Sequence, residues 1–446
     1  MHILPQLREL ERKHRDTLAV IGVHSAKFTT EKETENVREA VMRYGIEHPV
    51  INDRDFAVWQ SYAVRAWPTL MFIDPTGRVI GRHEGEFPFD AMDRTVAEMI
   101  AEFAHQGVLD RRLLPYQLEA EKAEQRPLAF PGKIEADAST GRLFIADSNH
   151  HRVLVSDFEG HVTEVIGSGE AGSADGPFDA AVFDNPQGMA VDGDILYVAD
   201  AGSHTIRKAD LAARTVATIA GTGEQSLYRH TGGEPFANPL NSPYDLALHD
   251  DVLYIAMAGF HQLWFLDLAA NLIQPFAGDG GEDIVDGPRD KARLAQPYGV
   301  AVSGDNVFFA DSETSSVRAA KMGDGGRVVT LVGTGLFDFG DRDGVGKEAQ
   351  LQHVQGIAVS GDTIYIADSY NHRIKSIDLN TLRVTTVAGH GTKGSSDGPA
   401  PGASFNEPAG LAMADSRIFV ADTNNHAIRV LDLDHSTVAT LELSGI

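Results

Sequence analysis

The feature that most restricts the fold of this chain is a phrase of five residues that occurs six times in its last two thirds. Each copy has three apolar residues followed by an alanine, and five of the six copies end in aspartate. The copies are residues 143–147, 196–200, 253–257, 307–311, 364–368 and 418–422, at intervals of 53 to 57 residues. A repeat of this length, kept over six copies, indicates an array of similar supersecondary units.

Each copy also has the same internal order. It opens on Pro-x-Gly or a close variant, as at 186–188 and 408–410, and continues with a short apolar run. A polar turn, the five-residue phrase, a second polar turn and two further short runs follow. Short runs of this kind, separated by Gly, Asp and Asn, indicate β-strands. Four strands in each of six copies predict a six-bladed β-propeller.

The turns after the phrase resemble a known family. They read Asp-Ser-Asn-His-His-Arg-Val (147–153), Asp-Ser-Tyr-Asn-His-Arg-Ile (368–374) and Asp-Thr-Asn-Asn-His-Ala-Ile (422–428), which is similar to the NHL repeat. The resemblance covers residues 128–446 and implies a propeller that recruits a partner protein. Two copies depart from the pattern, because the third ends in Met257 and the fourth continues with Ser312-Glu-Thr-Ser.

Two sets of aspartates are candidates for a functional surface. The first set ends the repeated phrase and the second set lies in the loop that joins one copy to the next. The first set is Asp147, Asp200, Asp311, Asp368 and Asp422, and the second set is Asp175, Asp286, Asp343 and Asp397. In one interpretation the first set closes turns by accepting backbone amides, while the histidine of the turn packs or bonds between blades. In the other, the residues form a ring of ligands. Both loops should lie at one end of the blades, so we expect these carboxylates to crowd one acidic face.

The charge of the chain restricts its partners. It has 38 basic and 64 acidic residues, a formal net charge of −26, and most of the excess falls after Pro127. Such a surface repels phosphate backbones and attracts cations or basic proteins. The resemblance agrees, because RNA-binding NHL propellers depend on basic surfaces. We therefore predict a protein partner with a basic surface, and no nucleic acid.

The first third of the chain has the element order of a thioredoxin fold from its first helix onward. The predicted elements are a helix at 4–14, a fully buried strand at 17–23, helices at 34–44 and 55–62, a hairpin at 68–80 and a helix at 87–105. The segment Val-Arg-Ala-Trp-Pro-Thr (64–69) resembles the thioredoxin-family loop whose proline is cis beside the redox site. The resemblance therefore makes Trp67 and Pro68 a remnant of that site.

This region departs from thioredoxin in one large respect. The family has a strand and a Trp-Cys-x-x-Cys motif directly before the first helix, whereas this chain has no cysteine at all. This chain therefore lacks the thiols that thiol–disulfide exchange requires. Two strand edges should also face an empty slot. The two explanations are a true start upstream of Met1 and a degenerate, purely structural domain.

Together these patterns predict a multidomain protein. A truncated α/β thioredoxin-like domain (1–107) is followed by a helical linker (108–127) and an all-β six-bladed NHL propeller (128–446). We expect a protein-binding scaffold, with thiol–disulfide oxidoreductase activity in a full-length form. The alternative is a metal-dependent propeller lyase or esterase, although the inner strands read as small and apolar.

Three further expectations concern cofactors and location. We expect no metal and no cofactor, since the sequence has no clustered metal-ligating pattern. No apolar run approaches the ~20 residues that cross a bilayer, and no signal peptide is recognisable. A cytoplasmic monomer without membrane contact is the resulting prediction.

Overall fold

The computed structural model describes residues 3–85, 87–122, 126–226, 228 and 231–446. The chain divides into two compact units, Met1–Gln125 and Arg126–Ile446, and each is described by itself. None of the helices in the described ranges has the length and apolar content that a membrane crossing requires.

The first unit is a small α/β structure. Its elements are α1 (Leu4–Lys13), β1 (Gly22–His24), α2 (Thr34–Arg43), β2 (Val50–Asn52), α3 (Ala57–Ser61), β3 (Thr69–Ile73), β4 (Val79–Glu84) and α4 (Phe89–His105). Its core lies between α1 and α4, where the spacing of Leu7 and Leu10 places both on one helix face against Met92. Strand β1 pairs in parallel with β2, and β3 pairs antiparallel with β4. Within the described residues these pairs are two separate two-stranded sheets.

Two local predictions for this unit are wrong. The strand expected over 17–23 is shortened to β1, and it is not fully buried, because Ile21 is 57% and Val23 is 42% exposed. Pairing on one edge only leaves such a segment half covered. Sequence analysis also missed β2.

The helical linker is the second error. Residues 108–122 contain one 3-10 turn, Glu119–Lys122, and no α-helix, while 123–125 lie outside the described residues. Pro115 lacks the N–H that a helix needs, and it leaves flanking segments too short for a stable helix.

The second unit is a ring of six antiparallel sheets, numbered as blades 1 to 6. Blade 1 has β5 (Ile134–Asp137), β6 (Arg142–Asp147), β7 (Arg152–Asp157) and β8 (Val162–Ile166); blade 2 has β9 (Gly176–Pro177), β10 (Pro186–Asp192), β11 (Ile195–Asp200), β12 (Thr205–Asp210) and β13 (Thr215–Ala220). Blade 3 has β14 (Pro243–His249), β15 (Val252–Met257), β16 (Gln262–Asp267) and β17 (Leu272–Ala277); blade 4 has β18 (Gly287–Pro288), β19 (Pro297–Ser303), β20 (Asn306–Asp311), β21 (Ser316–Lys321) and β22 (Arg327–Val332). Blade 5 has β23 (Gly344–Val345), β24 (Val354–Ser360), β25 (Thr363–Asp368), β26 (Arg373–Asp378) and β27 (Arg383–Ala388); blade 6 has β28 (Gly398–Pro399), β29 (Pro408–Ala414), β30 (Arg417–Asp422), β31 (Ala427–Asp432) and β32 (Thr437–Leu441).

The first long strand of each blade is its inner strand, which contacts the inner strands of the two neighbouring blades around a central channel. The inner strands are β5, β10, β14, β19, β24 and β29. The repeated phrase forms the next long strand of every blade, called here the second strand. Side chains on both faces of this strand are buried against neighbouring blades, which explains its continuous apolar run. Phe144 of blade 1 and Val198 of blade 2, for example, belong to one apolar cluster. The six-bladed prediction is therefore confirmed, with the repeated phrase in the core.

The outer edges of the blades are covered by short segments. The two-residue strands β9, β18, β23 and β28 pair with the fourth long strand of blades 2, 4, 5 and 6. On blade 1 the C-terminal tail of the chain covers the outer edge. The Val162 N–H donates to the Ser444 carbonyl, and the Ser444 N–H donates to the Gly160 carbonyl. Covered edges do not offer unpaired backbone to other chains.

Candidate functional site

The first set of aspartates lies inside the blades. All five side chains are fully buried. In each, Oδ1 accepts a backbone N–H from the segment that leads into the inner strand of the same blade, at 2.7–2.8 Å; the donors are Ala129, Asp184, Ala295, Gln352 and Asn406. These carboxylates therefore fix the loop that leads into the blade, and they do not contribute to an exposed face.

A buried cation joins the two sets of aspartates. In blade 2, Arg207 lies 3.0 Å from Asp200 and 3.0 Å from Asp175, and it also donates to the carbonyls of Val182 and Ala174. Asp175 in turn accepts both N–H and O–H of Thr218. The guanidinium is fully buried and lies between one buried and one half-exposed carboxylate.

The same triad is present in three further blades. The cation follows the first-set aspartate by seven residues every time. The triads are Asp311–Arg318–Asp286 in blade 4, Asp368–Lys375–Asp343 in blade 5 and Asp422–Arg429–Asp397 in blade 6. Sequence analysis missed these cations, although a basic residue seven positions after the aspartate in four copies is a visible signal.

The two carboxylates of a triad have different electrostatic surroundings. In blade 4, burial raises the pKa of Asp311, against the attraction and the hydrogen bond of Arg318. Burial also acts to raise the pKa of Asp286, but hydrogen bonds from Thr330 and Arg318 outweigh it and hold that pKa below its ordinary value. In this triad the half-exposed member is thus the one that keeps its negative charge most readily.

Blades 1 and 3 depart from the triad. In blade 1, Asp147 accepts from His150 and Arg152 instead. In blade 3, Met257 replaces the aspartate and Trp264 replaces the cation seven residues later. The Trp264 ring is fully buried, and its Nε1 donates to Gln262 at 3.0 Å. Blade 3 has therefore lost the acid and its cation together.

The expected single acidic face needs correction. Of the two predicted sets, only the second is exposed, with side-chain exposures of 50% for Asp175, 48% for Asp286, 41% for Asp343 and 48% for Asp397. Carboxylates are also exposed at the opposite end of the strands, where Asp194 is 69% and Asp250 is 91% exposed. Both ends of the propeller are therefore acidic.

The inner strands contain charged groups that the sequence analysis did not expect. At the position that is glycine in the inner strand of blades 2, 4, 5 and 6, blade 1 has Lys133 and blade 3 has Asp245. Lys133 Nζ lies 3.2 Å from Asp245 Oδ2 and donates to the Gln355 carbonyl of blade 5 at 2.6 Å. The glycines leave room for this pair, since a Cβ at Gly188 would lie 2.2 Å from Asp245 Oδ1.

Glu135 lies two residues beyond Lys133, where the other inner strands have alanine. Burial, with the nearby carboxylates of Asp245 and Asp137, raises the pKa of Glu135 to about 8. Burial likewise lowers the pKa of Lys133 and raises that of Asp245. The channel is thus not lined by small apolar residues throughout. Among the described residues, no three His, Asp or Glu side chains are grouped so as to hold a metal ion, and nothing observed supports the metal-dependent alternative.

The redox-site remnant lies in the first unit. The Trp67–Pro68 bond is cis, as the resemblance implies. Trp67 is 49% exposed, stacks at 4.4 Å on Trp59 and donates from Nε1 to the Ser25 carbonyl at 2.9 Å. This last bond connects the loop before β3 with the residue after β1. The sequence has no cysteine, so this surface holds no thiol.

Comparison with known proteins gives matches to both units. Residues 1–79 match the thioredoxin-like family model, and 183–209, 351–375 and 405–431 match the NHL repeat. Protein SUPPRESSOR OF QUENCHING 1, chloroplastic, of Arabidopsis thaliana is 42% identical over 100% of this chain, which covers 44% of that protein. NHL repeat-containing protein 2 of Homo sapiens is 38% identical over 99% of this chain, which covers 66% of that protein. Thiol-disulfide oxidoreductase YkuV of Bacillus subtilis is 23% identical over 22% of this chain and 67% of its own length.

The chain thus spans 44% of the length of the Arabidopsis relative and 66% of the length of the human one. The order of the matches agrees with the order of the two compact units. The chain is therefore a thioredoxin-like and NHL-repeat protein, with the thioredoxin-like region first and the propeller second.

Proposed function

We propose that this chain is a protein-binding scaffold whose propeller binds a basic surface of a partner protein. The observation that carries the proposal is the exposure of acidic side chains in the loop that joins blades 1 and 2. The loop at 167–186 contains Glu170, Asp175, Asp179 and Asp184 and no basic residue, and three of its carboxylates are exposed. Charge of one sign on exposed loops attracts and orients an oppositely charged partner.

The best residues for a test are acidic side chains outside the triads. Changing Asp175 or Asp397 would also leave a buried guanidinium short of a partner, so that folding and binding would be confounded. Glu170 and Asp179 are exposed and lie in the same loop. The variant Glu170→Lys/Asp179→Lys therefore alters the surface without altering a triad.

The experiment measures binding of a labelled polyarginine peptide by fluorescence anisotropy. We expect Glu170→Lys/Asp179→Lys to weaken binding roughly tenfold at low salt, because both charges reverse. The matched control is Asp194→Lys/Asp305→Lys, which makes the same charge change at the opposite end of the strands. Equal weakening by both variants would mean that net charge, and not this loop surface, governs binding.

A second candidate function is thiol–disulfide exchange by a longer form of the protein. It is supported by the thioredoxin-like match over residues 1–79 and by the similarity to an oxidoreductase of Bacillus subtilis. The present sequence has no cysteine, so the reacting thiols would come from outside it. The coding region upstream of Met1 should then encode Cys-x-x-Cys in frame, and its absence there would exclude the idea.

Cytoplasmic location and a monomeric state are part of the same proposal. The name of the Arabidopsis relative places that protein in the chloroplast, so fractionation of cells that express this chain is the direct test of location. Light scattering at several concentrations tests the monomer.

A further inference from the structure

Equivalent hydrogen bonds join each blade of the described propeller to the next. In each, a side chain of the turn after the second strand accepts a backbone N–H from the segment that leads into the inner strand of the next blade. The acceptors are Nδ1 of His151, His204, His261, His372 and His426, and Oγ of Ser315; the donors, in the same order, are Asn185, Ser242, Gln296, Glu407 and Phe130, and for Ser315 the donor is His353. Their lengths are 3.0–3.3 Å.

The backbone geometry of these bonds is the same around the ring. Every acceptor residue has φ between 49° and 55°, and every donor residue has φ between 48° and 58°. Residues other than glycine are uncommon in this left-handed region, and the surrounding structure has to hold them there. Two such residues meet at each interface, so the hydrogen bond between them is a recurring structural feature of the junctions. We call the five histidines the turn histidines.

The acceptor role fixes the protonation state of the turn histidines. A neutral imidazole can accept at Nδ1 while Nε2 carries the proton, whereas in imidazolium both nitrogens are donors. Protonation therefore places an N–H opposite the N–H of the next blade. The hydroxyl of Ser315 does not titrate in this range, so the equivalent bond at one junction keeps its acceptor in acid.

We propose that the propeller is an acid-sensitive ring, in which protonation of the turn histidines at Nδ1 removes the acceptors of five equivalent hydrogen bonds between blades. The junction between blades 6 and 1 is included, because His426 accepts from the Phe130 N–H and packs against the Phe130 ring, with ring centroids 4.3 Å apart. Acid thus acts on the contact that closes the ring as well as on the others.

The surroundings of three of these histidines favour the neutral form. Burial lowers the pKa of His204 to about 4, and it does the same for His426, with a smaller contribution from Arg126. Burial also lowers the pKa of His372. These three histidines thus bind fewer protons in the folded ring than in the unfolded chain, so the stability that they contribute is complete above pH 6.5 and is lost as the pH falls towards the folded pKa.

The size of the effect follows from the two pKa values. A histidine whose pKa is 6.5 unfolded and about 4 folded raises the unfolding equilibrium constant roughly 25-fold between about pH 7.5 and about pH 5. His204 and His426 together would raise it roughly 600-fold.

Other charged groups face the turn histidines and contribute to the pH profile. They are Asp184 for His151; Asp311 for His261; Glu407 and Lys393 for His372; and Arg126, Asp147 and His150 for His426. The buried Asp200, Asp368 and Asp422 have raised pKa values of about 7, 6 and 6, so they act in the opposite direction. The pH dependence of the stability of the unaltered protein is therefore the sum of these contributions. The test has to compare the unaltered protein with a variant that lacks only the histidine contribution.

The chain supplies the matched substitution, since Ser315 makes the same bond without titrating. In the variant His151→Ser/His204→Ser/His261→Ser/His372→Ser/His426→Ser, acid should no longer remove the acceptors. Urea unfolding of the propeller is followed through Trp264, which is fully buried, at about pH 7.5 and about pH 5. We expect the unfolding constant of the unaltered protein to rise at least several hundredfold more over this range than that of the variant. Parallel pH profiles of the two proteins would overturn the proposal.

Single variants keep the test decisive if the fivefold variant does not fold. His204→Ser should remove its own roughly 25-fold share of the pH dependence. Ser315→Ala, which deletes a non-titrating acceptor, should lower stability equally at both pH values. A His204→Ser variant that behaves like Ser315→Ala would show that the histidine has a structural role only, and would overturn the proposal.

Discussion

Blade 3 and blade 4 solve the same packing problem with different chemistry. In blade 4 the last residue of the repeated phrase is Asp311, and the residue seven positions later is Arg318; the two form an ion pair at 2.9 Å with both side chains fully buried. In blade 3 the same positions are Met257 and Trp264, also fully buried. The comparison shows that in blades 3 and 4 these two positions hold matched partners and that the partners need not be charged, because a buried ion pair and a well-packed apolar pair can stabilise a structure equally.

The first and largest prediction breaks the pair in blade 4. Arg318→Met leaves Asp311 buried without its cation and should lower the free energy of unfolding by about 3–5 kcal/mol. Urea denaturation at pH 7 measures the change. The control is Arg327→Met, an exposed arginine of the same blade, which should cost less than about 0.5 kcal/mol. Comparable losses in the two variants would refute the matched-partner view.

The second prediction concerns the buried carboxylate of blade 3, which is Asp245 in the channel. Lys133→Met removes the cation from this carboxylate, but Asp245 keeps the N–H bonds of Val300 and Leu246. We expect a loss of about 2–3 kcal/mol at pH 8. Because the isolated Asp245 would bind a proton more readily in the folded state, the loss should shrink as the pH falls.

That pH dependence separates loss of the ion pair from loss of packing. Lys321→Met, an exposed lysine of blade 4, is the control and should be neutral at both pH values. A loss in Lys133→Met that is the same at pH 5 and pH 8 would indicate that only the packing of the lysine stem matters.

The third prediction transfers the solution of blade 3 to blade 4. The double variant Asp311→Leu/Arg318→Met replaces both charged groups by apolar ones, so no buried charge is left alone. It should remain within about 2 kcal/mol of the unaltered protein, which makes it more stable than Arg318→Met alone. A double-mutant cycle measured by urea denaturation checks this, and additive losses would contradict it.

The smallest expected effect is at the half-exposed member of the triad. Asp286→Asn should cost about 0.5–1 kcal/mol at pH 7, since solvent screens this carboxylate. Its folded pKa is lowered, so its contribution is complete above the ordinary pKa of 3.8 and is lost as the pH falls through the folded value. The stabilities of the two proteins should converge once the pH falls below that folded value.

These differences also mark what the sequence can and cannot predict. The six blades follow from one phrase, because a strand buried on both faces has to be apolar throughout, and this is visible without a structure. The cation seven residues after the aspartate was missed, since its role depends on a third strand folding back beside the second. Lys133 and Asp245 were missed for a similar reason, since only closure of the ring brings blades 1 and 3 together across the channel.

In the thioredoxin-like unit the limits are of another kind. The order of most elements could be predicted from local hydrophobic patterns, and the Trp67–Pro68 loop could be predicted from its resemblance to the thioredoxin family. The extent of the strand at 17–23 could not, since strand formation depends on pairing at both edges, and β1 pairs at one. The linker prediction relied on helix propensity alone, which a single proline overrides.

The way the ring closes has a mechanical consequence. The four long strands of every blade come from one continuous stretch of chain, and the tail of the chain adds a short strip at Ser444 to the edge of blade 1. The seam between blades 6 and 1 therefore has no interlocking long strand. It depends on the apolar cluster that joins Ile134 to Ile428, on the Phe130–His426 contact, on the Thr423 bond to the Pro131 carbonyl and on the strip at Ser444. When the two ends of the propeller are pulled apart, this seam should fail before any other junction, and the blades should then peel away one after another from the ends.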